Sequence, residues 1–162
     1  MIGIPLNTTF TDNNLTNGQT YYYSVAALDR VSNSSQESDV VSSVPRGIKY
    51  VDANTGSDVS GSGNITAPYS TIQHAINQST SGDTIYVKPG TYQQSLDLGG
   101  KWVSIRSTNG SSNTILSSNG SGTIITAENG ELSNTEIVGF TIKDATTGIS
   151  IGSDAALLVR AC

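Results

Sequence analysis

The run Gly82-Asp83-Thr84-Ile85-Tyr86-Val87-Lys88-Pro89-Gly90-Thr91-Tyr92 constrains the fold more than any other part of this chain. A short β-prone core sits between two turn signals, with Asp83 and Gly90 placed to make corners. An amphipathic stretch, Ser70 to Gln78, precedes it and predicts a two-turn helix with Ile72, Ala75 and Ile76 on one face. Ser70 and Gln73 fit a capping box, in which Ser70 accepts from the Gln73 N–H and Gln73 reaches back. Ser81-Gly82-Asp83 ends that helix. Strands are predicted at Ile85–Val87, Val103–Ile105, Thr123–Thr126, Ile137–Ile142, Ile149–Ile151 and Leu157–Val159, about 20 residues apart or somewhat less, the range of solenoid coils. Gly99-Gly100, Asn109-Gly110, Asn119-Gly120 and Asn129-Gly130 supply corners between them.

Composition explains why such a chain needs stacking. Ser, Thr and Asn fill about a third of the positions, and charged residues only 13%. No single coil of this composition buries its own Ile and Val. The next coil does so, with backbone hydrogen bonds running between coils. The helix would plug the open apolar end and block edge pairing.

Tyr50-Val51-Asp52, Gly56-Ser57-Asp58, Ala67 to Ile76, Gly82 to Tyr92 and Val138 to Ile142 closely resemble the N-terminal region of right-handed parallel β-helix proteins of the pectin lyase-like superfamily. The resemblance covers residues 48 to about 152. It implies an all-β fold, with the first coils of a right-handed parallel β-helix behind a short N-terminal capping helix. The superfamily contains polysaccharide lyases and hydrolases, and also surface and adhesive proteins without known catalysis.

The earlier part of the chain differs in character. Thr8 to Val44 reads as strands and turns, with Tyr21, Tyr23, Val25 and Ala27 on one face of a strand of period two. Val40, Val41 and Val44 mark another strand. Leu15 to Asp29 is similar to the E–F corner and F strand of a fibronectin type III domain, with Tyr21 as the corner tyrosine. Ser38 to Ser43 would be the last strand, so only the last strands of the sandwich are represented. Two domains are expected: residues 1–45, a partial fibronectin-like β-sandwich, and residues 46–162, the N-terminal coils of the β-helix, cut short. The pattern is expected to continue beyond the sequence on both sides.

The bulk charge excludes some functions. Eight Lys and Arg against thirteen Asp and Glu give a net charge of −5. That argues against nucleic acid, whose phosphates need clustered cations. No apolar run reaches the ~18 residues of a membrane span. Met1-Ile2-Gly3-Ile4-Pro5-Leu6 lacks the basic region of a signal peptide. The lone Cys162 provides no disulfide framework.

Candidate chemistry is sparse. Asp52, Asn54 and Asp58 place oxygens at intervals suggestive of a calcium loop. Gly56 and Gly63 fall where an EF-hand needs ligands, so turn formation is the favoured reading and no metal is assigned. His74, the sole histidine, is expected on the helix surface, and Asp83 in turn hydrogen bonding. Glu136, Lys143, Asp144 and Arg106 are the catalytic candidates. A uronate lyase needs a base and a cation, and these four would have to share one solenoid face to supply them. Tyr86, Tyr92 and Trp102 are candidates for stacking on sugar rings. Tyr86 is expected to point outward, between inward Ile85 and Val87. Serine-hydrolase, phosphate-loop, dinucleotide and zinc signatures are missing from the sequence.

The resemblance implies a piece of an exported, multimodular, carbohydrate-active protein of bacterial type, extracellular or at the cell surface. Its partner would be a polysaccharide or surface glycan, with calcium as a cofactor only in the longer protein. These 162 residues are expected to have no lyase or hydrolase activity by themselves, with catalysis carried by later coils. The alternative is a non-catalytic surface or adhesive stalk.

Overall fold

The computed structural model describes residues 9–162. The stretch Met1 to Leu6 and the residue Thr8 lie outside the described residues. The chain divides into two compact units, Met1–Pro45, of which residues 9–45 are described, and Arg46–Cys162.

In the first unit, β1 (Tyr21–Tyr23) pairs antiparallel with β2 (Val41–Ser43), Tyr21 opposite Ser43. The regular strand is shorter than the alternation Tyr21 to Ala27 predicts. Beyond Tyr23 the register slips, and Leu28 bridges Ser34. Serine hydroxyls take over part of the ladder: Ser38 Oγ accepts from the Val25 N–H at 3.1 Å, and Ser35 Oγ from the Ala27 N–H at 2.8 Å. Short polar side chains compete with backbone acceptors in this way. The Tyr21 hydroxyl accepts the upstream Thr16 N–H at 3.0 Å.

The second unit is a parallel β-helix. β3 (Ile48–Val51) and α1 (Ile72–Asn77) come first. Three coils follow: β4 (Thr84–Val87), β5 (Gly90–Gln93) and β6 (Leu96–Asp97); β7 (Ser104–Ser107), β8 (Thr114–Ser117) and β9 (Thr123–Ala127); β10 (Glu136–Val138), β11 (Thr141–Lys143) and β12 (Thr147–Ile151). β13 (Leu158–Arg160) begins the next. The strands sort into three parallel sheets, ordered β13-β10-β7-β4-β3, β11-β8-β5 and β12-β9-β6. Each crossover between neighbouring strands of a sheet is therefore a whole coil.

Register makes the core. Ile85, Ile105, Ile137 and Val159 lie opposite one another in successive coils. Tyr92, Leu116 and Ile142 form a second ladder, and Leu96, Ile125 and Ile149 a third. The inward residues of β4, Ile85 and Val87, are fully buried, while Thr84 and Tyr86 are partly exposed. Each fully buried aliphatic contributes roughly 1.5–3 kcal/mol.

Several expected boundaries change. The predicted strands belong to three different sheets, so their spacing is not the coil length. The expected strand Ile137–Ile142 is two strands. Gly139, at φ 80°, turns the chain, and the fully buried Phe140 fills the corner. β5, β6 and β8 are additional strands. Gly90 is the first residue of β5, and the corner before it is Lys88-Pro89.

The helix plugs the coil end as expected, burying Ile72, Ala75 and Ile76. Its cap is Thr71, not Ser70. Thr71 Oγ1 accepts the His74 N–H at 3.2 Å and donates to Asp58 Oδ2 at 2.7 Å. Asp58 Oδ1 accepts the N–H groups of Ser70 and Thr71 at 2.8 and 3.1 Å, which fixes both residues ahead of the first turn. The Gln73 side chain turns instead to Asp97, accepting its N–H at 2.8 Å. Lys101 Nζ donates to the Ile76 and Asn77 carbonyls at the helix C-terminus, at 2.8 and 2.9 Å. No helix among the described residues is long and apolar enough to cross a membrane.

Candidate functional site

Two outward rows run across the five-stranded sheet. One contains Ile48, Thr84, Ser104, Glu136 and Leu158, and the other Tyr50, Tyr86, Arg106, Val138 and Arg160. Strands in a sheet lie about 4.8 Å apart, so each row presents one side chain per coil at that interval. Where the rows meet the edge carrying Arg46, Trp102 and Asn134, the surface forms a cleft of about 420 Å³.

Trp102 is the aromatic wall of this cleft. The Arg46 guanidinium lies 5.3 Å from its ring centroid, within cation–π range. Gly82 donates its N–H to the Trp102 carbonyl at 2.7 Å. A side chain at Gly82 would meet the indole at 2.9 Å, so only glycine lets the ring lie there.

Glu136 and Arg106 form the polar floor and pair with each other. Ser104 Oγ donates to Glu136 Oε1 at 2.7 Å and accepts from Arg106 Nε at 2.8 Å. The Ser104 hydrogen bond, followed by Arg106, holds the Glu136 carboxyl below the ordinary range despite some burial. An ionised carboxylate so engaged is a weak general base.

The four catalytic candidates separate into two pairs. Arg106 and Glu136 share the cleft. Lys143 and Asp144 lie at the end of β11, on another sheet, exposed and paired at 3.5 Å. They do not share one face.

The aromatic candidates also separate. Trp102 lines the cleft. Tyr86 points outward as expected and stacks on Tyr50, centroids 5.7 Å apart. Tyr92 is only 2% exposed and occupies an inward position of β5, so it cannot face a sugar. Its hydroxyl donates to the Lys88 carbonyl at 2.9 Å and accepts the Ala53 N–H at 3.3 Å. Burial pushes its pKa up to about 12.

The calcium-type loop is filled by the protein's own donors. Asp52 Oδ1 accepts from the N–H groups of Asn54 and Thr55, and Oδ2 from Thr55 Oγ1 at 2.6 Å and Lys88 Nζ at 3.1 Å. Asp58 is committed to the start of α1, and Asn54 contributes its backbone N–H to Asp52. The contacts of both carboxylates suit a turn and a helix cap better than a cation. No group of three or more His, Cys, Asp or Glu side chains among the described residues could hold a metal ion. His74 packs edge-on against Tyr69, centroids 4.7 Å apart. Asp83 is buried and accepts from the Gly47 and Thr80 N–H groups, a turn and closure role.

Arg46, Ser104 and Asn134 line the cleft without any local sequence signal that marks them as site residues. The signal that could have found Ser104 is register: once Ile105 is placed opposite Ile85 and Ile137, Ser104 falls between Thr84 and Glu136.

Residues 54–100 match the model of a family described as a protein of unknown function (DUF1565), a family associated with β-helix proteins. The match spans the loop, the cap helix and the first coil. No curated protein and no solved structure matches the chain significantly.

Proposed function

We propose that Arg46–Cys162 is the glycan-binding start of a β-helix, in an exported, multimodular, carbohydrate-active protein. The observation that carries this is the cleft beside Trp102. An aromatic ring there is flanked by Arg46, Arg106, Glu136, Ser104 and Asn134. Sugars present apolar ring faces and a rim of hydroxyls, which suit an aromatic wall with fixed donors and acceptors.

The role of these residues is binding, not cleavage. Glu136 is engaged by Ser104 and Arg106, and Lys143 and Asp144 lie elsewhere. That division of labour also favours the second reading, a surface or adhesive stalk that holds glycan without cutting it. The first unit would serve as a fibronectin type III-like spacer. The Tyr21 hydroxyl bonded to the Thr16 N–H supports that reading.

The test is a glycan array followed by calorimetry on hits, using neutral and uronic oligosaccharides. Binding is expected, with Trp102→Ala weakening it at least tenfold while the melting curve is retained. No retained glycan, or a Trp102→Ala chain that binds unchanged, would overturn the proposal. Turnover of pectate, alginate or a glycosaminoglycan would overturn the non-catalytic role.

A further inference from the structure

We propose that Asn109 is a self-modifying site, losing its side-chain amide by cyclisation onto the Gly110 nitrogen ahead of the other Asn-Gly pairs. The chain has four such pairs, beginning at Asn17, Asn109, Asn119 and Asn129. The structure distinguishes them.

The chemistry needs only water. The Gly110 N–H gives its proton to solvent base, and the nitrogen attacks Asn109 Cγ. A Cγ–N bond forms, the Cγ–Nδ2 bond breaks, and nitrogen leaves as ammonia with protons from water. Water then opens the five-membered imide at either carbonyl. The product is aspartate, or isoaspartate with the chain routed through the side chain. No atom changes oxidation state.

Two features favour Asn109. The attacking N–H must be free, and Gly110 N–H has no acceptor among the described residues. By contrast, Gly18 N–H is held by the Pro45 carbonyl at 2.9 Å, and Gly120 N–H by the Asp144 carbonyl at 2.7 Å. Second, Thr108 Oγ1 donates to Asn109 Oδ1 at 2.9 Å, at the oxygen that gains negative charge as the nitrogen adds. Asn109 and Gly110 are exposed to the water that the reaction needs, as Asn119 and Gly120 are, so the ranking rests on those two features. The remaining pair is handicapped by charge. The Glu131 carboxylate accepts the Asn129 N–H at 3.0 Å and sits beside Gly130, opposing loss of a proton there.

The product changes the solenoid at a defined place. The corner of the next coil rides on this one: a side chain at Gly139 would meet the Gly110 Cα at 3.5 Å. Isoaspartate lengthens the backbone under Gly139 by one carbon and adds a negative charge.

The experiment holds the folded full chain at mildly alkaline pH and follows each asparagine by mass spectrometry with fragmentation that separates aspartate from isoaspartate. A parallel sample is held in urea. In the folded chain, Asn109 is expected to convert several-fold faster than Asn17, Asn119 or Asn129. In urea the four rates are expected to converge, because all share the same Asn-Gly chemistry. Thr108→Val is expected to slow Asn109 several-fold, and Thr108→Ser to restore it. Equal rates at Asn109 and Asn119 in the folded chain would overturn the proposal. So would an Asn109 lead that persists unchanged in urea, since local sequence would then set it.

Discussion

Asp83 accepts the backbone N–H of Gly47 at 2.6 Å, joining two residues 36 positions apart. The same carboxylate takes the Thr80 N–H at 3.1 Å. It therefore ties the entry of β3 to the turn that launches β4, at a site 2% exposed. Register between the first two strands of the large sheet is set there.

Removing that acceptor leaves the buried Gly47 N–H without a partner and frees the part-buried Thr80 N–H. Each orphaned group costs about 1–3 kcal/mol. Asp83→Ala is expected to destabilise the β-helix by roughly 2–4 kcal/mol on that basis. Asp83→Asn keeps one acceptor oxygen and should cost less. Urea melts of both variants check the order, and an Asp83→Ala chain as stable as the parent would refute the assignment.

Phe140 is the largest fully buried side chain and sits beside the Gly139 corner. Phe140→Ala should cost about 3–5 kcal/mol by lost burial and residual cavity. Hydrogen exchange should show the β10 and β11 amides opening first. Protection there equal to the parent's would count against a corner-filling role.

Asp52 gives a pH dependence whose sign can be worked out. The Thr55 hydroxyl, with further donors from Asn54 and Lys88, lowers its pKa to about 2 against some burial. The unfolded carboxyl titrates near ~3.9. Its stabilisation is thus complete above that value and is lost as pH falls toward about 2. Water reaches Lys88, so the effect is discounted to about 1 kcal/mol. Asp52→Asn should flatten this acid limb of the stability profile. An unchanged slope in that variant would contradict the assignment.

Tyr92 supplies the opposite limb. Its folded pKa is raised to about 12, chiefly by burial. The neutral phenol is favoured in the fold, so stability holds below the unfolded value near ~10 and falls as pH rises through the folded one. Ultraviolet titration should show a tyrosine step near pH 12, and Tyr92→Phe should abolish that step. Tyr92→Phe also removes the hydrogen bond to the exposed residue Ala53, at a cost of about 1 kcal/mol.

Local signals carried much of the fold. The helix apolar face and the alternation around Ile85 were legible because 3.6-residue and two-residue periods are written in neighbouring residues. The Gly99, Gly110, Gly120 and Gly130 corners were legible because left-handed backbone favours glycine, and all four adopt positive φ. The helix cap, Thr71, lies one residue beyond the capping-box position Ser70. Ser is if anything the better N-cap by propensity, and Asp58, twelve and thirteen positions away, decides for Thr71. The split of Ile137–Ile142 was hidden because Val138-Gly139-Phe140 reads as one apolar run until a coil must turn there.

The site was less legible than the fold. Glu136 and Arg106 stood out as charges in a chain that has few, but their partnership depends on strands 30 residues apart lying in register. Tyr92 and Trp102 looked alike as aromatic residues near corners. Only the coil geometry turns the first inward and leaves the second lining the cleft.

The sequence by itself determined that this chain stacks short strands into coils behind a capping helix, because periodicity and turn chemistry are local properties. The tertiary structure alone decided which residues meet. Coils of unequal length bring Thr84, Ser104 and Glu136 into one row, and that register is fixed by inter-coil hydrogen bonds and by the inward isoleucine ladder.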